Sequence, residues 1–161
     1  MIRTLILIFA FFLTGCGVTE PSVPAQSPPT EGQETLTMDE TGETTMKMQV
    51  QIGDKTFTAT LEDNQAVTEL VEMMEAGPVT LHLDDFSGFE KVGPLGKSLT
   101  TSDRQTTTSP GDIVLYNGDN IVMFYGSNSW SYTRLAKIDD LTGWADALGR
   151  GSITAVLTLA D

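Results

Sequence analysis

From Met46 onward, apolar side chains recur at every second position. Met46, Met48, Val50 and Ile52 alternate with Lys47, Gln49 and Gln51, the pattern of a strand with one buried face. Gly53–Asp54 is a two-residue hairpin signal. Beyond it, Phe57, Ala59 and Leu61 alternate with Thr56, Thr58 and Thr60. A turn at 53–54 sets Val50 against Phe57, Met48 against Ala59 and Met46 against Leu61. All three pairs are apolar and share one face, so turn and pattern agree on a single register.

The remaining elements follow the same logic. Asp63 or Asn64 caps a helix with an apolar stripe of Ala66, Val67, Leu70, Val71 and Met74 and with Glu69, Glu72 and Glu75 outward. Gly77–Pro78 stops it, and Val79, Leu81 and Leu83 alternate as a third strand. Gly88, Gly93, Pro94 and Gly96 break any long element after that, and the polar stretch TTSDRQTTTSP over 100–110 reads as a mobile loop. Pro110–Gly111 turns into a strand at Ile113–Tyr116, and NGDN at 117–120 leads back into Ile121–Tyr125, an apolar run that suggests cover on both faces. Tyr132–Ile138 is a further strand. Asp139 or Asp140 caps a short helix with Leu141, Trp144, Ala145 and Leu148 inward, ended by Gly149. Ile153, Ala155, Leu157 and Leu159 form the last strand. Many antiparallel strands with two helices give a mainly β fold, a closed antiparallel barrel with the helices capping its ends. Closure removes exposed strand edges.

The part before residue 46 is of another kind. Arg3 precedes LILIFAFFL at 5–13. Nine helical residues reach roughly 14 Å, against about 30 Å for a bilayer core, so residues 1–15 read as a signal peptide rather than a membrane span. Leu13, Thr14, Gly15 and Cys16 resemble the bacterial lipobox, in which a peptidase cuts before a cysteine whose thiol carries a diacylglyceryl group. Cys16 is the only cysteine of the 161 residues, so it has no disulfide partner within the chain. The resemblance implies lipid attachment at Cys16, with the domain held outside the cytoplasm in a bacterial cell envelope. Residues 16–45 hold Pro21, Pro24, Pro28 and Pro29 among polar residues and lack the apolar surface to offset ordering, so they are expected to form a disordered tether to the domain at 46–161. The chain carries 22 acidic against 9 basic residues, a net charge of −13. This argues against a nucleic acid partner and against membrane attachment through a basic patch.

Residues 46–160 resemble the bacterial cyclophilin-like domain, a small β-barrel. The resemblance rests on FTATLEDNQAVTELVE at 57–72, PGDIVLY at 110–116, YTRLAKIDD at 132–140 and the ADALG that follows at 145–149. It implies a closed cyclophilin-like barrel and, since some members resemble partners of flavodoxin-type proteins, a peptide or a flavodoxin-type protein as partner. True cyclophilins use an arginine above an apolar floor, with a Phe-Met-x-Gln group after the third strand. Residues 82–99, HLDDFSGFEKVGPLGKSL, contain neither, so a non-catalytic binding domain is preferred to a prolyl isomerase with a rebuilt site; a small-ligand carrier using the barrel mouth is a third reading.

No catalytic, metal or cofactor site emerges from the pattern. His82 is the single histidine and cannot build a histidine cluster. Asp84, Asp85 and Glu90 surround Gly88, but Phe86 and Gly88 fill the slots a calcium loop gives to oxygen ligands. TGETT at 41–45 resembles a flavodoxin phosphate loop, yet no apolar strand precedes it. No serine sits in a Gly-x-Ser-x-Gly turn. The candidate binding residues are Trp130, Tyr132 and Arg134, together with Glu90. Tyr132 and Arg134 share a strand face, and aromatic rings beside a guanidinium suit a peptide or an anionic group. Arg134 has a second role open to it, an ion pair with an internal carboxylate such as Glu90.

Overall fold

The hairpin forms in the register that its apolar alternation demands. In the computed structural model, which describes residues 45–160, β1 (Lys47–Ile52) and β2 (Lys55–Leu61) pair antiparallel with Val50 opposite Phe57 and Met48 opposite Ala59. The expected leader, Cys16 and the expected tether up to residue 44, which includes residues 41–44 of the TGETT segment, lie outside the described residues. At the third expected pair, Leu61 N–H donates to Met46 O at 2.9 Å, but the Met46 side chain is 49 % exposed. It stands just ahead of β1 at the barrel rim, beside Leu61 and Val67, and does not join the core.

Helix α1 (Gln65–Ala76) begins at Asn64, whose side chain accepts a hydrogen bond from Val67 N–H, and ends at Gly77. The five stripe residues are its buried ones. The chain continues through β3 (Val79–Phe86), β4 (Glu90–Pro94), β5 (Arg104–Thr107), β6 (Asp112–Tyr116), β7 (Asn120–Phe124), β8 (Ser129–Ile138), α2 (Trp144–Leu148) and β9 (Ile153–Leu159). Eight strands run in the order β2-β1-β9-β3-β4-β7-β6-β8, and β8 pairs back to β2 to close the barrel. Every pairing is antiparallel. The mainly β, closed barrel with two short helices is therefore the observed fold. Among the described residues no helix is long and apolar enough to cross a membrane.

The registers place the helices at opposite ends. β2 leaves the barrel at Leu61 and β3 re-enters near Val79, so α1 sits at the end away from the Gly53–Asp54 turn. β8 ends at Ile138 opposite Ala59, and β9 begins beyond Ile52, so α2 lies at the turn end. The interior is filled by side chains such as Met48, Leu81, Leu83, Ile113, Leu115, Met123 and Leu135, all 0 % exposed, as in small barrels whose lumen is core rather than cavity. Trp144 closes the α2 end: its ring meets Phe57 edge-on at 5.0 Å and its Nε1–H donates to Phe124 O at 2.8 Å. A carrier that held its ligand inside would have to displace these groups.

Two expectations are corrected. The 100–110 stretch contains strand β5, which pairs Arg104–Thr107 with Tyr132–Ser129 of β8. Its flanks are tied down as well: Thr100 donates from N–H and Oγ1 to Glu69 at 2.7 and 2.6 Å, and Thr108 N–H donates to Asn128 O at 2.8 Å. The second helix is shorter than expected and starts at Gly143 with no side-chain cap. Asp139 instead holds Lys47 and Thr60, Asp140 accepts from Thr142 N–H, and Leu141 and Ala145 face solvent.

Candidate ligand-binding site

Strands buried on both faces require a second cover outside the barrel. In β7 the inner residues Ile121 and Met123 belong to the interior, while Val122 and Phe124 point outward into a separate cluster with Val114 and Tyr132. Phe89, Val92 and Tyr116 pack against that cluster. The sheet can approach itself closely here because Gly93 has no side chain; a Cβ at that position would lie 2.1 Å from His82 O. The Asn117–Gly118 turn joining β6 and β7 has positive φ at both residues, 52° and 80°, the requirement of a tight primed turn. It fixes Tyr116 at the cluster's edge.

Over this outer cluster lies a cleft of about 260 Å³ lined by Phe86, Glu90, Val92, Tyr116, Val122, Asn128, Trp130 and Tyr132. The Tyr132 ring stands edge-on to Phe124 at 5.7 Å and to Tyr116 at 6.1 Å, and its hydroxyl accepts from Asn128 Nδ2 at 3.0 Å. Phe86 and Trp130 flank the mouth, 53 % and 57 % exposed. Trp130 is held there by β5, since Thr106 pairs opposite it. The polar segment thus has a positional role: without β5, the first half of β8 would lack a partner on that edge.

Glu90 is the unusual group. It sits opposite Phe86 on one side and Phe124 on the other and is 7 % exposed. Its Oε2 has no hydrogen-bond partner. Burial pushes the carboxyl up to about 7, because an apolar surround penalises the ionised form.

A second, more polar cleft adjoins the first. It is lined by Glu62, Asp63, Asn64, residues 104–107 of β5, Ser102, Tyr132 and Arg134. Tyr132 lines both clefts. Trp130, Tyr132 and Glu90 therefore meet in one cleft, and Arg134 lies in the neighbouring one beside Arg104. Arg134 does not pair with Glu90. Its guanidinium lies 3.6 Å from a different internal carboxylate, Asp112, which also takes Lys137 at 2.8 Å; Asp112 is on the adjacent strand, whereas Glu90 is three strands away.

The acids around Gly88 are dispersed rather than convergent. Asp84 accepts from Ser152 Oγ at 2.6 Å. Asp85 accepts from Lys91 Nζ at 2.7 Å and from the Tyr125 hydroxyl, and these two bonds hold its carboxyl below the ordinary range. Tyr125 is pushed up to about 12, by burial first and by the Asp85 bond second. His82 is exposed, with Nδ1 3.2 Å from Thr154 Oγ1. Among the described residues no cluster of three metal-ligating side chains occurs. Lys91 escaped the sequence reading. It is 0 % exposed, bonded to Asp85 and, at 2.7 Å, to Gly151 O, with the Tyr125 ring 5.5 Å away.

Comparison with known proteins agrees with this architecture. Residues 50–159 match the cyclophilin-like family. The chain belongs to the cyclophilin-like family. A solved structure with the same fold is the solution structure of a hypothetical protein from Archaeoglobus fulgidus, at a TM-score of 0.52 and 13 % identity, covering 72 % of this chain and 95 % of that one. At that identity the likeness is one of fold. Among curated proteins none matches this chain.

Proposed function

We propose that this cyclophilin-like chain is an envelope lipoprotein whose barrel displays a non-catalytic site for an extended peptide segment. The observation that carries the binding part is the position of Tyr132 on both clefts, which sets an aromatic pocket and a polar groove on either side of one ring. Such a surface suits a chain that inserts one side chain and runs its backbone past hydrogen-bonding groups. A narrow cleft of about 260 Å³ favours an inserted side chain over the broad face of a folded flavodoxin-type partner. The aromatic cleft has no arginine in its lining, which weighs against the guanidinium-over-apolar-floor arrangement of a prolyl isomerase. The envelope part rests on Leu13–Cys16 and the preceding apolar run.

Binding is tested by titrating the full chain with a pool of unstructured octapeptides and following the Asn128 and Tyr132 backbone amide N–H resonances by NMR. Saturable shifts that vanish in Trp130→Ala support the site. Shifts that persist in that variant, or their absence with every peptide, overturn it. Anchoring is tested by fractionation, with Cys16→Ser expected to leave the membrane fraction; unchanged partitioning would overturn lipidation.

A further inference from the structure

The aromatic cleft contains a polar atom that nothing in the protein satisfies. Glu90 is more than nine-tenths buried, lines the cleft, and has an unpartnered Oε2. A buried carboxyl oxygen left without a donor destabilises the fold, so the cleft is the place to look for the donor that completes it. The groups facing it give no cation. Tyr116 on β6, Tyr132 on β8 and Tyr125 after β7 present phenols. Phe86 on β3 presents a ring, and Asp84 on the same strand is engaged by Ser152. Lys91, the next residue, points to the other face and is consumed by Asp85 and Gly151. The walls formed by Phe86, Tyr116, Trp130 and Tyr132 are aromatic, and ring faces attract cations. The chain as a whole is acidic, at −13, which draws positive ligands to it.

Resting on the peptide-binding reading of the same site, we infer that the cleft takes an alkylammonium group on an apolar stem, with Glu90 as its counter-ion. The stem fills the space between the rings. The ammonium supplies the missing N–H donor to Oε2 and its positive charge keeps Glu90 ionised. A quaternary ammonium has no N–H and would leave Oε2 unpaired, so an amine whose protonated form keeps at least one N–H is required. A lysine side chain on a protein segment and a free amine share this chemistry.

Occupancy has a proton signature. The empty cleft holds Glu90 largely protonated below about 7, so amine binding strengthens as the pH rises through that value. The full chain is titrated with n-pentylamine and, in parallel, with n-pentanol, which has the same stem and a neutral donor. The Trp130 indole N–H is followed by NMR. At pH 8 the amine is expected to bind roughly tenfold tighter, the contribution of one charge-assisted hydrogen bond, and Glu90→Gln is expected to erase the difference while leaving pentanol binding intact. A lysine-bearing pentapeptide and its norleucine counterpart then separate a protein lysine from a free amine as source. Equal binding of amine and alcohol, with no effect of Glu90→Gln, overturns the ammonium inference and leaves the peptide site standing. Failure of every probe, peptides included, overturns both.

Discussion

The neighbouring charged residues Glu90 and Lys91 and the two tryptophans are divided between the two faces of this barrel wall, and the faces treat them in opposite ways. On the inner side, Lys91 is wholly enclosed and bonded to Asp85 and Gly151. Trp144 is equally enclosed, with its Nε1–H paired to Phe124 O. On the outer side, Glu90 is buried with an oxygen unpaired, and Trp130 is more than half exposed. Consecutive residues of one strand, Glu90 and Lys91, thus lie on the two sides of the same contrast. Satisfied polar groups and enclosed rings stabilise a fold; an orphaned acid beside an exposed ring does not, and it is the surface that the proposed ligand would complete.

Substitutions can break or sharpen that contrast. The largest effect is expected at Trp144→Ala, which empties a packed site and should destabilise by about 4 kcal/mol, read as a lower urea midpoint. Lys91→Ala should follow at about 3 kcal/mol, since it empties a fully enclosed site and removes the donor to Gly151 O. If either proves neutral, the inner face is not the rigid partner in the comparison. On the outer face the sign reverses with pH. Glu90 is raised from its ordinary 4.5 to about 7, so its neutral form favours the folded state. The stability it confers is complete below about 4.5 and is lost as the pH climbs through about 7. Glu90→Gln should therefore match the wild type at pH 4 and exceed it by about 3 kcal/mol at pH 8, measured by urea unfolding at both pH values. Trp130→Ala should have the smallest effect, within about 0.5 kcal/mol, while removing one wall of the cleft.

The inner face was far more legible in the sequence than the outer. A core facing one way imposes period two, so the hairpin register and the α1 stripe could be read from Met48, Val50, Phe57 and Leu70 alone. The run at 121–124 was legible for the same reason: cover on both sides removes the alternation. β5 was not, because its four residues are exposed or only half-buried and carry no apolar face to reveal a strand; its signal is pairing with β8, a long-range fact. The α2 cap misled because Asp139 and Asp140 serve Lys47 and Thr142 instead. Trp130 after its polar loop and Tyr132 on its strand face are legible as candidates, and they line one cleft; which internal carboxylate Arg134 pairs with is not legible, because strand order sets Asp112 beside it. Lys91 offered no signal, since a lysine in a short strand is ordinarily solvated.

The most direct measurement is an NMR titration of the Glu90 side-chain carboxyl carbon in the unliganded protein. A buried and unpartnered carboxyl should titrate with a midpoint near 7. A midpoint at the ordinary glutamate value near 4.5 would show that water or a protein donor already reaches Oε2, and the outer cleft would lose the feature that distinguishes it from any other exposed aromatic surface.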